Sequence, residues 1–352
     1  MRRRLFVVHC GQQEYDRTSG GDFMQGFQKV VGHQEIITHL QNAISMNKVS
    51  HAYLFGGESG SGKKMMASLF AMTLQCEKHG VEPCMECASC KKAQNKNHPD
   101  IIYVTHEKPN TISIDEIREQ LINDVMIKPY SSPYKIYVID EAQKLTLQAQ
   151  NALLKTIEEP PAYAVILLLA DNPDALLPTI LSRCVQLNLK PVGDQLVKDY
   201  LMNEMHVPDY QAEVDASLAQ GNIGKAERIA RSPEYEETLE QALRIVKYAD
   251  SMPLHEIMET IKKLTAEKDN IDDYFDIFSL WFRDVLLFKA TKEVDALVFK
   301  QELNGIRARA NKSSYEGLEK IIESIQKART RLNANVNFDL TMELMFLTMK
   351  EN

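Results

Sequence analysis

Three groups of residues have types and spacings suited to chemistry. The first is Gly57-Glu58-Ser59-Gly60-Ser61-Gly62-Lys63. Its glycines let successive backbone N–H groups curl around phosphate oxygens, and Lys63 would place an ammonium at the β- and γ-phosphates of a nucleotide. The next position, where a serine or threonine hydroxyl would ligate Mg²⁺, is Lys64. A lysine has no oxygen to give, and it brings a second positive charge to the place of the metal. The loop is therefore expected either to bind ATP without turning it over or to survive only as a turn. The second group, Ile136-Tyr137-Val138-Ile139-Asp140-Glu141, is an apolar run ending in two carboxylates. In that pattern one carboxylate holds Mg²⁺ and the other orients the attacking water; both are also suited to capping a following helix.

The third group is Cys76, Cys84, Cys87 and Cys90, with seven, two and two residues between them. This spacing can set four thiolates tetrahedrally around one zinc ion. Four protein ligands leave no open coordination position, so such a zinc would be structural, folding an inserted loop over residues 76–90 into a module. The alternative is four reduced thiols packed in a small core. Cys10 and Cys184 have no comparable neighbours, and Ser182-Arg183-Cys184 taken alone predicts no more than a surface ion pair.

These residues need elements to position them. Helical spacing over 34–44, an apolar run at 52–55 and a helical pattern over 65–74 put the glycine loop between a strand and a helix, the context it requires. Apolar runs at 101–104, 136–139 and 165–170 read as further buried strands, with helices at 114–123 and 149–158 between them. This alternation predicts a three-layer α/β domain with a mainly parallel sheet, ending near Lys190-Pro191. From there the pattern is all helical: short helices at 196–205, 215–219 and 224–230, then longer ones at 237–249, 254–267, 274–290, 315–333 and 338–349. The helix over 274–290, with Trp281 and Phe282, is expected to be core.

Composition narrows the function. The chain of 352 residues is 44% hydrophobic and 26% charged, long enough for two or three cores. Its net charge of −8 argues that any contact with DNA is shared with partners. No apolar run reaches the ~20 residues of a membrane span. The short run after Arg2-Arg3-Arg4 falls short of a signal peptide, so a cytoplasmic protein is expected. Residues 1–23 lack any period and are expected to be a floppy extension.

Together, Phe27-x-x-Val30-Val31-Gly32-His33, His51-Ala52-Tyr53-Leu54-Phe55, the glycine loop, the four cysteines, His98-Pro99-Asp100 and Ile139-Asp140-Glu141-Ala142 resemble the AAA+ subunits of bacterial clamp loaders. So do Asn151-Ala152-Leu153-Leu154-Lys155-x-x-Glu158-Glu159-Pro160, Leu181-Ser182-Arg183-Cys184 and, before the last helix, Asn335-Val336-Asn337. The resemblance implies a P-loop AAA+ module over 24–190, a small helical lid over 191–233 and an all-α collar over 234–352. It further implies a hetero-pentameric ring of clamp-loader subunits that opens a sliding clamp and sets it on primed DNA within the DNA polymerase III assembly. In such a ring Arg183 would reach the ATP of a neighbouring subunit. The same resemblance places Gly57, Gly60, Gly62, Lys63, Lys64, Asp140 and Glu141 at a nucleotide site. Lys64, and Gly224 where the family's motor subunit carries an arginine, favour a stator with little or no ATPase of its own. The alternatives are an ATP-hydrolysing motor subunit and a different AAA+ enzyme acting on DNA. A zinc-dependent nucleic-acid binder would need a basic face near the cysteines, where Glu77, Glu82 and Glu86 interleave with Lys78, Lys91 and Lys92.

Overall fold

The computed structural model describes residues 26–266, 268–334 and 336–352. The extension expected over 1–23, with Cys10, lies outside these residues, as does Asn335. After helix α1 (Gln34–Ser45), strand β1 (Ala52–Gly56) enters the sheet buried along its whole length. Its side chains alternate: Ala52 and Leu54 join Tyr137, Ile139, Ile166 and Leu168 on one face, while Tyr53 and Phe55 join Ile136, Val138, Leu167 and Leu169 on the other. Both faces are apolar because helices cover both, which is why these strands read as continuous apolar runs.

The other strands are β2 (Ile101–Val104), β3 (Lys135–Ile139), β4 (Ala164–Ala170) and β5 (Val185–Asn188). All pairings are parallel, in the order β2-β3-β4-β1-β5. Helix α2 (Lys63–Leu74) buries Met66, Phe70 and Leu74 on one face of the sheet, and α5 (Leu147–Glu158) buries Ala149, Leu153 and Ile157 on the other. A short helix α3 (Ala88–Gln94) begins within the cysteine segment, where the spacing of the thiols predicts only an inserted loop. The helix expected over 114–123 is only one turn, α4 (Ile114–Ile117), capped by Ser113 and Glu116. It runs on into a π turn at Arg118–Ile122, closed by the Asn123 N–H on the Arg118 carbonyl at 2.9 Å. A third short helix, α6 (Pro178–Leu181), leads into Arg183 and β5.

After β5 every element is helical. Helices α7 (Asp194–Glu204), α8 (Asp209–Ala219) and α9 (Ile223–Arg231) are followed by α10 (Pro233–Tyr248), α11 (Leu254–Ala266), α12 (Ile271–Thr291), α13 (Leu303–Lys312), α14 (Tyr315–Asn333) and α15 (Phe338–Glu351). One hydrophobic cluster runs from Val197 in α7 to Met349 in α15. Helix α12 lies within it, with Trp281 and Phe282 buried as expected. Among the described residues no helix is long and apolar enough to cross a membrane.

Candidate functional site

The carboxyl ends of β1, β3 and β4 collect the first two groups of chemical residues on one edge of the sheet, where ligands of open parallel sheets bind. The glycine loop joins β1 to α2 with positive φ at Gly57, Gly60 and Gly62, as its curl requires. The lysine that would meet phosphate is turned inward. Lys63 is 7% exposed, and its Nζ donates to the carbonyls of Gly57 at 2.6 Å and Glu58 at 2.7 Å and to Asp171 Oδ1, just past β4, at 2.6 Å. Its three ammonium donors are thus matched by three acceptors of its own chain.

Lys64 lies 2.5 Å from Asp140 Oδ2 at the end of β3, and that hydrogen bond raises the Lys64 pKa. The ammonium therefore occupies the carboxylate that would hold Mg²⁺. Glu141, in a left-handed conformation at φ 50°, turns aside to Lys144 at 2.7 Å, which lowers its pKa, and to His106 at 3.6 Å. Parts of a phosphate cradle persist: a Cβ on Gly62 would meet nothing within 4 Å, and Ser61 Oγ is buried without a hydrogen-bond partner. The donor set nevertheless does not fit a Mg²⁺-nucleotide, since both carboxylates are neutralised by lysines and no hydroxyl follows Lys63.

Helix α9 is seated on this loop. The Gly224 N–H donates to the Gly60 carbonyl at 3.0 Å, and Asn222, which caps α9, donates from Nδ2 to the Ser59 carbonyl at 2.7 Å. The other side of α9 is bound to α12. Arg228 makes two hydrogen bonds to Asp273, at 2.7 and 2.6 Å, and Lys225 pairs with Asp276, which also accepts from Arg329 of α14 at 2.6 Å. A Cβ at Gly224 would lie 2.7 Å from the Gly60 Cα, a backbone contact that no rotamer change relieves. Gly224→Ala is therefore expected to lift α9 from the loop and cost ~1–3 kcal/mol. Faster amide exchange in Ile223–Arg231 together with a lowered Tm checks this; wild-type protection there would refute it.

Arg183 stands apart from this edge and shares no hydrogen bond or ion pair with the glycine loop among the described residues. It is partly exposed, with Nη2 2.8 Å from Glu158 Oε1 and Nη1 donating to the Thr179 carbonyl at 2.9 Å.

The four cysteine sulfurs all lie within 4.8 Å of one another. The Cys84 and Cys90 sulfurs are 3.9 Å apart, close to the ~3.8 Å that tetrahedral Zn–S bonds of ~2.3 Å give. Backbone N–H groups of Cys84, Cys87 and Cys90 point at the sulfurs of Cys76, Cys84 and Cys87 at 3.5, 3.4 and 3.3 Å. Donors from Cys87 and Glu86 pull the Cys84 thiol down to about 6, while burial pushes Cys90 up. The donor set fits one zinc ion.

Two family descriptions match the chain: "DNA polymerase III, delta subunit" over residues 32–193 and "DNA polymerase III, delta subunit, C terminal" over 237–351. DNA polymerase III subunit delta' of Bacillus subtilis is 31% identical over 89% of this chain and 94% of its own length. The chain belongs to the DNA polymerase III clamp-loader family of delta-prime and tau/gamma subunits. DNA polymerase III subunit tau of the same organism is also 31% identical, over 88% of this chain and 58% of tau. Among solved structures, a DNA polymerase III gamma subunit-related protein of Thermotoga maritima is 21% identical, covering 90% of this chain and 98% of that one with a TM-score of 0.45.

In this clamp-loader subunit the fold brings Gly57, Gly60, Gly62, Lys63, Lys64 and Asp140 together, gathers the cysteines, and leaves Glu141 and Arg183 in separate contacts. Sequence reasoning assigned no contact or role to Asp171, Asn222 or Glu158 individually. Asp171 was legible in principle, because it follows an apolar strand just as Asp140 does. It also left His98-Pro99-Asp100 without a role. Ser89 of α3 donates to the Gln75 carbonyl at 2.6 Å and so accepts from His98 Nε2 at 3.0 Å; His98 Nδ1 accepts the Asp100 N–H at 3.1 Å. Asp100 in turn accepts the N–H groups of Tyr130 and Ser131. The motif fastens the cysteine module to the sheet.

Proposed function

We propose that this chain is the delta-prime-type subunit of a bacterial clamp loader: a cytoplasmic stator that does not hydrolyse ATP and supplies Arg183 to the ATP of a neighbouring subunit. The observation that carries this reading is the Lys64–Asp140 ion pair, which puts an ammonium where a motor needs Mg²⁺. The seating of α9 on the loop supports it, because Gly224 leaves no side chain to reach a nucleotide. In this reading residues 24–190 form the AAA+ module, 191–233 the lid and 234–352 the collar, and the four cysteines hold one structural zinc.

The ring is proposed to be hetero-pentameric, with the sliding clamp and primed DNA reached through the assembly. Exposed apolar side chains on the collar are suited to neighbouring subunits. Leu254 and Met258 lie one turn apart on α11, and Leu340 and Leu344 one turn apart on α15. These two helices pack antiparallel: Thr265 bonds Asp339 at one end, and Lys350 bonds the Met252 carbonyl at the other.

The equal identity to tau favours a second reading, an ATP-hydrolysing motor. Steady-state ATP hydrolysis by the purified chain with Mg²⁺, with metal content measured on the same sample, separates the two. The stator shows no turnover above background and holds about one zinc per chain. Robust hydrolysis would make the motor reading the right one.

A further inference from the structure

The contacts of Arg183 bear on how its proposed role is regulated, a matter that rests on the in-trans reading of that residue. Its guanidinium is held on two sides by its own chain: Nη2 against Glu158 Oε1 at 2.8 Å, and Nη1 on the Thr179 carbonyl at 2.9 Å, with Ser182 Oγ at 3.4 Å. Glu158 is the last residue of α5 and Thr179 belongs to α6, so two separate helices fix the arginine. The Arg183 and Glu158 side chains are 39% and 46% exposed. A pair in that setting is weak and solvent-screened, and a more highly charged acceptor exchanges with it readily. A terminal phosphate is such an acceptor, and its oxygens take the same planar fork of N–H donors that a carboxylate takes.

We infer that Glu158 is a holding carboxylate, a positioning residue that keeps Arg183 on its own subunit until the γ-phosphate of a neighbour's nucleotide takes its place. The exchange makes the arginine conditional. Without a closed interface, Glu158 is the better-placed acceptor, and Arg183 is withheld from the neighbouring ATP. On closure, the phosphate displaces the carboxylate while the Thr179 carbonyl keeps the guanidinium near its starting position, so the arginine arrives already oriented.

The test uses the assembled loader, with ATPase measured in the absence of clamp and DNA and again at saturating clamp and primed DNA. Glu158→Gln keeps shape and removes charge; it is expected to raise the unstimulated rate about two- to fivefold, the range a half-exposed ion pair commands, and to leave the stimulated maximum unchanged. Glu158→Ala, followed with a thermal melt as a folding control, is expected to do the same. The rise should vanish in Glu158→Gln/Arg183→Ala, since it travels through the arginine. The inference is overturned if Glu158→Gln lowers both rates toward those of Arg183→Ala, which would make Glu158 an orienting support for the active arginine. It is equally overturned if the double variant keeps the gain. Arg183→Ala leaving both rates at wild type would remove the in-trans reading and this inference together, an outcome distinct from failure of Glu158→Gln alone.

Discussion

If the proposed in-trans role holds, Arg183→Ala built into the assembled loader is expected to slow hydrolysis at the neighbouring ATP site by ~10³-fold, the lower end of what an arginine supplied in trans contributes to phosphoryl transfer. The mechanism is electrostatic. Negative charge spreads over the equatorial oxygens as the γ-phosphoryl leaves, and a guanidinium placed there stabilises the transition state more than the ground state. Arg183→Lys is expected to recover little, because a single ammonium cannot reproduce a planar fork of donors. Single-turnover hydrolysis resolves the affected site from the others in the ring. Any ATP binding by the isolated chain should stay at the wild-type level, since Arg183 touches neither Lys63 nor Asp140. Clamp- and DNA-stimulated hydrolysis unchanged by Arg183→Ala would defeat the stator-with-arginine reading.

The second large effect concerns the cysteines. Cys90→Ser, or Cys76→Ser, replaces a fully buried sulfur of the four-thiol group, and metal content is expected to fall from about one zinc per chain to none. Structural zinc in finger peptides accounts for ~10–16 kcal/mol of folding free energy. Here packing offsets part of that loss, because Cys76 and Cys90 belong to the same cluster as Met66, Phe70 and Leu74. A destabilisation of about 3–5 kcal/mol is expected, confined to the module and its anchors. Amide exchange should rise across residues 76–98 while β1 and β4 stay protected. Full metal content in Cys90→Ser, or exchange unchanged in that segment, would leave four packed thiols as the better description.

Much of this architecture was legible in the residues, and what was missed has physical causes. The four strands covered on both faces announced themselves as unbroken apolar runs. Strand β5 did not, because Leu187 is its one buried residue, and a strand with so little burial carries little hydrophobic signal. Helix α13 escaped for a related reason. It is anchored by Ile306 and Ala310 and by a buried Arg309 that donates to the Met349 carbonyl at 2.5 Å, and charge at a core position hides a helix from any reading of apolar period. The π turn after α4 lay beyond a spacing argument, since 3.6-residue and wider turns leave nearly the same trace over five residues.

At the site, residue identity carried the chemistry while partner choice did not. Lys64 was readable as an obstacle to Mg²⁺, but no local pattern signals that Asp140 takes it, that Asp171 closes on Lys63, or that Glu158 faces Arg183. Each of these contacts joins positions far apart in the chain, and only the finished fold makes them neighbours.

Ser232 alone joins α9 to α10. It closes the first helix and caps the second, its side chain accepting the Tyr235 N–H at 3.3 Å. A connection of one capped residue has no slack, and the far end of α9 already rests on the glycine loop. A push delivered to the C-terminal bundle by a neighbour in the proposed ring would therefore not be absorbed in a flexible linker. In the proposed ring it would pass along α9 to the sheet edge, and the subunit would bear the load as a single beam.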